Sequence, residues 1–343
     1  MIAVLGAGTM GCAMAMHLLR LGERVTVLAT DHDEAAVRAW RDQRPHPGLG
    51  IVLEPGMVVR DLAASRGLLG AADLITVAVS SDGLAPVLAS VSGHTSPDAT
   101  WVLATKGWQE DSLSTPSELT AAHAGPGGRL VTLAGPALAS EVAAGLPTAF
   151  LFASRDADAR RLAARTFASP SVLTVTTSDV VGAETASAYK NVAAIAVGIA
   201  EGLSKRLASS GATALFANAR AAMFAQGLID TVRLAEARGG RAATVLGLAG
   251  AGDLYVTCVG GRNGRFGRLL GSGTAMDEAL RTINSTVEGI SNTRAALGLA
   301  QQCSVDLRTA RTVDFALQHN LAGDEAVQAI RDLFTSAMSS PEQ

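Results

Sequence analysis

The chain has 343 residues, 48% of them apolar and 17% charged, so it can bury sizeable cores, is long enough for two domains and is expected to be fully folded. A formal charge of −3 gives no electrostatic footprint for nucleic acid or an anionic membrane, and neither is expected as a partner. The three cysteines, Cys12, Cys258 and Cys303, lie far apart and without clustered histidines, which argues against a disulfide framework and a metal site and fits a reduced cytoplasm.

Ile2–Leu5 is a run of strand formers, and Gly6-Ala7-Gly8-Thr9-Met10-Gly11 follows with no spacer, spelling G-x-G-x-x-G. Apolar residues at Ala13, Met16, Leu18 and Leu19 then predict a helix with one face on a sheet, ending at Gly22. In such a unit Gly6 allows the tight turn, Gly8 lets the main chain approach a pyrophosphate, and Gly11 lets helix and strand pack closely. Helix N–H groups and the helix dipole then face the phosphates. Glycines in this pattern also occur as plain turn chemistry. The context favours dinucleotide binding, because a second apolar strand at 24–28 is followed by Asp31, twenty residues beyond Gly11. No charged n-region precedes an apolar h-region, and the most apolar later stretch, 192–200, is too short to span a bilayer.

After Asp31, residues 33–43 read as a helix broken by Arg44-Pro45-His46-Pro47-Gly48. Short extended pieces are expected at 51–53 and 57–60, helices at 61–69 and 83–91, and strands at 73–79, 100–104, 130–133 and 148–153. Continuous apolar strands alternating with helices predict an α/β domain with a doubly wound, Rossmann-type parallel sheet covered on both faces. Chemistry in such sheets sits at the carboxyl ends of strands, where Ser80-Ser81, Lys106-Gly107 and Gly135-Pro136 fall. Near Ser178 the rhythm changes to Ala- and Leu-rich helical segments at 179–203, 214–238, 288–302, 306–318 and 323–334. The expected organisation is a dinucleotide-binding domain over 1–177 and an all-helical substrate-binding and catalytic domain over 178–338, with 339–343 as a tail. A helical lid is a common way to bring catalytic groups to a nicotinamide.

Only three of the 28 basic residues are lysine, Lys106, Lys190 and Lys205, so lysine positions need a reason. Arginine keeps its proton in the working pH range, whereas a buried ammonium near another cation can give one up, as a general acid or base must. Lys106 stands at a strand end before Gly107. Lys190 interrupts an apolar helix among Ala186, Val192, Ala193 and Ile195, so its ammonium either snorkels out or faces a cleft. Lys205, beside Arg206, reads as a solvated loop charge. In Gly247–Gly267, Asp253 follows one glycine-rich turn and Arg262-Asn263 sits in another, a planar fork and an amide suited to a phosphate. Asp253 alone reads as a helix cap or a functional acid, and its pairing with Arg262-Asn263 favours function. Glu288 reads as a first-turn helix acid or a cofactor contact. The six histidines are scattered and receive structural or surface roles.

Over nearly its whole length the chain resembles the bacterial NAD(P)-dependent sn-glycerol-3-phosphate dehydrogenase family. The resemblance is carried by Gly6–Gly11, Thr105-Lys106-Gly107, Ala134–Val142 with Gly145–Ala149, Asp179–Glu184, Lys190-Asn191-Val192, Asn218–Ala222, Gly247–Gly250 with Gly252-Asp253-Leu254, Arg262-Asn263 with Arg265-Phe266-Gly267, and Val287-Glu288-Gly289. It implies reversible reduction of the C2 ketone of dihydroxyacetone phosphate by NAD(P)H. It also implies that Lys190 donates and accepts the proton and that Lys106, Gly135, Ala137, Asp253, Gly261, Arg262 and Asn263 surround the substrate. Thr9, Met10, Lys106, Ala139, Arg262, Val287 and Glu288 would line the cofactor. On that reading the Lys190 ammonium stabilises charge building on the ketone oxygen, Lys106 eases proton release by like-charge repulsion, Asp253 orients Lys190, and Arg262 with Asn263 grips the phosphate.

The chain departs from the family pattern at Ala137, where Ser or Thr is usual, at Gly261, where Ser is usual, and at Met10, which replaces an aromatic residue. The segment between Asp253 and Arg262 is shorter, and 202–216 carries an insertion. The exact substrate is therefore open, with another small 2-oxo phosphate, phosphonate or acid, as in ketopantoate reductase-like enzymes, as the second reading and a non-catalytic nucleotide-binding regulator as the third. Asp31 would accept a ribose 2′-OH and repel a 2′-phosphate, so NAD is expected over NADP. The residues do not decide an oligomeric state; a homodimer is what the resemblance implies.

Overall fold

The computed structural model describes residues 1–125, 128–207 and 217–319, with the side chains of 205–207 left aside. The expected helix at 323–334, the tail, most of the insertion and the Lys205 charge lie outside the described residues. The chain divides into two compact units, the first comprising Met1–Lys106 with Ser114–Val180, the second Gly107–Leu113 with the chain from Val181 onward.

In the first unit the described residues form an eight-stranded sheet: β1 (Ile2–Leu5), β2 (Val25–Ala29), β3 (Val58–Asp61), β4 (Leu74–Val77), β5 (Thr100–Leu103), β6 (Arg129–Ala134), β7 (Thr148–Ala153) and β8 (Val172–Thr177). The strand order is β3-β2-β1-β4-β5-β6-β7-β8. β1 pairs in parallel with both β2 and β4, so the order reverses beside β1, at the point where open α/β sheets bind ligands. The helices α1 (Thr9–Arg20), α2 (Glu34–Arg41), α3 (Leu62–Ser65), α4 (Ser81–Val91), α5 (Pro116–Ala121), α6 (Ala139–Ala144) and α7 (Ala157–Phe167) alternate with these strands. Two apolar layers, one around Val4, Met14, Val27 and Phe150 and one around Leu5, Ile75, Leu88 and Trp101, bury the sheet from its two sides. Such burial is why β1, β4 and β5 are apolar at every position or nearly so.

Three expectations need correction. Residues 51–53 form no strand: Ile51 is a bend, its carbonyl accepting from the His46 N–H at 2.8 Å, and 52–53 are irregular. β7 runs antiparallel to β6, so the sheet is parallel only in the main. β8, sequence VLTVTT, was not expected as a strand; it pairs in parallel with β7, and its half-exposed, threonine-rich pattern suits a strand that packs on one side.

The second unit is helical: α8 (Val180–Leu207), α9 (Ala217–Ala237), α10 (Ala242–Leu246), α11 (Asp253–Gly260), α12 (Arg262–Gly271), α13 (Met276–Ile283), α14 (Glu288–Cys303) and α15 (Arg308–Gln318). The glycine-rich stretch read as two turns is instead a π-type turn, Leu248–Gly252, running into α11 and then directly into α12. Its glycines serve packing. A Cβ at Gly267 would lie 2.2 Å from the Ile195 carbonyl oxygen, one at Gly271 2.2 Å from that of Ile199, and one at Gly198 2.3 Å from that of Gly264. α8 and α12 therefore cross backbone against backbone, which fixes the start of α12 relative to the middle of α8.

Candidate active site

In the sheet unit, β1 passes into α1 through the three glycines. Gly6 has φ +100°, and a Cβ there would stand 2.8 Å from the Ala78 carbonyl oxygen. A Cβ at Gly11 would fall 2.1 Å from the Gly6 carbonyl oxygen, so close helix–strand packing requires glycine there. Gly8 differs, since a Cβ on it would meet nothing within 4 Å. It caps α1 with an open face, followed by the half-buried Thr9 and Met10, and the first turn of α1 carries no acidic side chain to offset the dipole. That cradle fits a bound anion such as a pyrophosphate.

Asp31 lies just beyond β2, exposed, as the first residue of a short 3₁₀ turn ending at Asp33. Asp33 was missed by the sequence reading. One of its oxygens accepts from the Ala7 N–H at 3.0 Å, the Thr30 N–H at 2.8 Å and the Thr30 hydroxyl at 2.8 Å. The Thr30-x-x-Asp33 spacing of a capping box was the signal that could have found it.

At the end of β5, Lys106 is half-buried and its Nζ donates to the Gly135 carbonyl oxygen at 3.5 Å, a long contact. Gly135, with φ +103°, ends β6 where a Cβ would meet the Ala149 carbonyl oxygen at 2.8 Å. Ala137 is buried and Ala139 opens α6.

In the helical unit, Lys190 is 9% exposed within α8, and its Nζ donates to Asp253 Oδ1 at 2.5 Å. The ammonium does not snorkel out to solvent; it is buried against Asp253. Asp253, 2% exposed, is the first residue of α11 rather than its N-cap, which is Gly252, and its Oδ1 accepts from Lys190. A buried pair of this kind costs desolvation of two charges, and the close contact offsets it.

Asn263 stands at the start of α12, buried. Its Nδ2 donates to Asn191 Oδ1 at 2.9 Å, and its Oδ1 accepts the Gly289 N–H at 2.9 Å. Asn191 in turn donates to Glu288 at 3.4 Å. This amide chain ties Asn191, the residue after Lys190, to the first turns of α12 and α14, a contact that the sequence does not reveal. Glu288 is the first residue of α14, and Val287 beside it is buried. Arg262 is exposed, its guanidinium donating to the Ser285 hydroxyl at 2.8 Å. Gly261 is the single residue between α11 and α12, and a Cβ on it would stand 2.4 Å from the Thr257 carbonyl oxygen. A side chain at this position would crowd the Thr257 backbone. Among the described residues, no cluster of three His, Cys, Asp or Glu side chains is arranged to hold a metal ion, and no helix is long and apolar enough to cross a membrane.

Residues 1–160 match the family model for the NAD-dependent glycerol-3-phosphate dehydrogenase N-terminus, and residues 179–328 match that for its C-terminus. A curated glycerol-3-phosphate dehydrogenase (NAD(P)+) from Thioalkalivibrio sulfidiphilus is 34% identical over 335 residues, 97% of this chain and 96% of the relative. The crystal structure of glycerol-3-phosphate dehydrogenase from Coxiella burnetii superposes with a TM-score of 0.86 at 29% identity, covering 97% of this chain and 98% of that one. A ketopantoate reductase from Ralstonia eutropha shares the fold alone, at 13% identity and a TM-score of 0.58. Matched along both its nucleotide-cradling and its lysine-bearing half, the chain belongs to the NAD-dependent glycerol-3-phosphate dehydrogenase family.

Proposed function

We propose that this chain interconverts dihydroxyacetone phosphate and sn-glycerol 3-phosphate with a nicotinamide dinucleotide. The observation that carries the reading is the buried Lys190 ammonium, held by Asp253 at 2.5 Å in a chain where all but three of the 28 basic residues are arginine. When bound, the dinucleotide supplies or accepts the hydride. Gly8, with the Thr9 and Met10 amides, would hold its pyrophosphate in the turn that Gly6 and Gly11 shape, and the further residues proposed for the cofactor are Lys106 and Ala139 in the sheet unit and Arg262, Val287 and Glu288 in the helical unit.

Lys190 stabilises charge on the C2 oxygen and delivers its proton there, and takes the proton back in the reverse direction. Asp253 is fixed against Lys190 and orients it. Arg262 supplies a guanidinium for the phosphate, while Asn263, its carboxamide engaged with Asn191 and Gly289, contributes through the placement of α12. Lys106, Gly135, Ala137 and Gly261 complete the substrate's surroundings.

We favour NAD over NADP. Asp31, Asp33 and Glu34 stand just after β2, and of the two arginines on α2, Arg38 is paired with Glu34 at 2.6 Å while Arg41 stands at the far end of the helix, so a 2′-phosphate beside β2 would meet carboxylates first. A cytoplasmic location fits the three free cysteines, and a homodimer is proposed by analogy with the family, to be read by light scattering. A second reading has its own support: Ala137 and Gly261 offer no hydroxyls, so a different small 2-oxo phosphate, phosphonate or acid would be the substrate. Cofactor absorbance followed with NADH or NADPH and a panel of ketones separates the readings. Turnover of dihydroxyacetone phosphate supports the first, turnover of another ketone alone the second, and cofactor binding without any turnover makes the chain a nucleotide-binding regulator.

A further inference from the structure

The segment after α2, Arg44-Pro45-His46-Pro47-Gly48, reads in sequence as a helix breaker, and its histidine as structural or surface. In the structure His46 is 3% exposed. Its Nδ1 accepts the N–H groups of Gly48 at 3.1 Å and Leu49 at 3.2 Å. The ring proton is thereby left on Nε2, which lies 3.0 Å from the Ala7 carbonyl oxygen and donates to it. The Cys12 thiol donates to the same oxygen at 3.3 Å. On the other side of the residue, the Ala7 N–H donates to Asp33 at 3.0 Å. Both peptide planes flanking Ala7 are therefore held by side chains that are distant in sequence. The loop is itself docked on α1, since a Cβ at Gly48 would fall 2.2 Å from Thr9 Cγ2.

A trans peptide is planar, with its N–H antiparallel to its C=O. Fixing the Ala7 carbonyl toward His46 therefore fixes the Gly8 N–H in the opposite direction, at the residue whose open face could admit a phosphate. We infer that His46, together with Asp33, is a positioning residue for the dinucleotide. It locks the Ala7–Gly8 peptide so that the Gly8 N–H is presented to the pyrophosphate without reorganisation on binding. This rests on the reading that the glycine turn holds a nicotinamide dinucleotide.

Two variants separate this role from a role internal to the loop. His46→Asn keeps an oxygen placed like Nδ1 to accept from Gly48 and Leu49 but cannot reach Ala7. His46→Gln keeps an amide N–H placed like Nε2 for the Ala7 carbonyl. NADH and ADP-ribose dissociation constants are measured by titration calorimetry for each variant, alongside thermal midpoints and the KM for the ketone at saturating NADH. Both ligands should bind His46→Asn about tenfold more weakly, the loss expected of one hydrogen bond. Affinity should return to within about threefold in His46→Gln, with the ketone KM unchanged throughout. Asp33→Asn, which keeps an acceptor for the Ala7 N–H, should behave like His46→Gln.

The inference is overturned if folded His46→Asn binds both ligands as the wild type does, or if Gln is the weaker binder and Asn the rescue. It is equally overturned if cofactor affinity and thermal midpoint fall while the ketone KM rises alongside them. If wild-type protein binds neither ligand, the dinucleotide reading fails first, and this inference falls with it.

Discussion

Replacing Gly8 by alanine should separate binding from stability, because the structure assigns this glycine no packing role. Its backbone, at φ −71° and ψ −177°, is a conformation alanine adopts without strain, and the added Cβ would meet nothing within 4 Å. Two small effects oppose each other. Restricting the unfolded chain favours alanine by about 0.4–1 kcal/mol, while the preference of helix N-caps for glycine over alanine disfavours it by a similar amount. Net stability should stay within about 1 kcal/mol of wild type, a shift of no more than roughly 4 °C in Tm. The methyl group would stand where the pyrophosphate approaches. Losing hydrogen bonds from main-chain N–H groups to a charged oxygen costs about 1.5–3 kcal/mol, so NADH should bind roughly tenfold to a hundredfold more weakly. Fluorescence titration with NADH and a thermal melt read the two quantities. A folded Gly8→Ala protein with wild-type NADH affinity would refute the placement of the pyrophosphate. A loss of several kcal/mol of stability would refute the claim that Gly8 faces open space.

Gly267→Ala makes the opposite case: its Cβ would lie 2.2 Å from the Ile195 carbonyl oxygen, so forcing α8 and α12 apart should cost about 1–3 kcal/mol in a denaturant melt despite alanine's better helix propensity, and an unchanged midpoint would contradict the backbone-to-backbone seam. Burial between Phe150 and Phe167 lowers the His17 imidazole below its ordinary 6.5, outweighing the hydrogen bond to the Phe167 carbonyl. The fold thus favours the neutral ring, and the resulting stability is present above pH 6.5 and lost as pH falls through the depressed folded-state value. His17→Gln should flatten the decline in unfolding free energy just below pH 6.5, and an equally steep decline would contradict it. Burial pushes the Cys12 and Cys258 thiols up to about 12, so in the native protein a disulfide reagent at pH 8 should leave both unmodified and should label them after denaturation; mass spectrometry of the native adduct checks this.

Much of the architecture was legible because burial on both faces of a parallel sheet demands continuous apolar strands, and Ile2–Leu5, Leu74–Val77 and Thr148–Ala153 display them. β8 escaped notice because a Val-Leu-Thr-Val-Thr-Thr strand, half threonine and exposed at half its positions, carries a weaker signal than a continuous apolar run. The helices α10 to α13 were hidden for a different reason. Glycine reads as a turn signal in sequence, yet Gly264, Gly267 and Gly271 are helical; the close crossing with α8 requires Gly267 and Gly271, while a Cβ at Gly264 would crowd the Thr257 and Cys258 carbonyls of α11. Lys190 stood out in a chain with so few lysines, and its contact with Asp253 accounts for an ammonium inside an apolar helix. The capping box at Thr30 marks Asp33 as a helix-start acid but not as a partner of Ala7, and His46 carries no such mark. Their bonds to Ala7 span 26 and 39 residues, and nothing local in the sequence announces a contact made only after the sheet has formed.

The most direct test of the account compares wild-type protein with Lys190→Met in the oxidation of NADH by dihydroxyacetone phosphate. Removing the ammonium leaves the Asp253 carboxylate buried, at a cost of about 3–5 kcal/mol in stability, so NADH titration first establishes that the variant is folded and binds cofactor. The account predicts that wild-type protein turns over and that the cofactor-binding variant is slower by roughly 10²–10⁴-fold, the contribution of a positioned general acid. A variant that binds NADH and retains turnover within about threefold of wild type would contradict it.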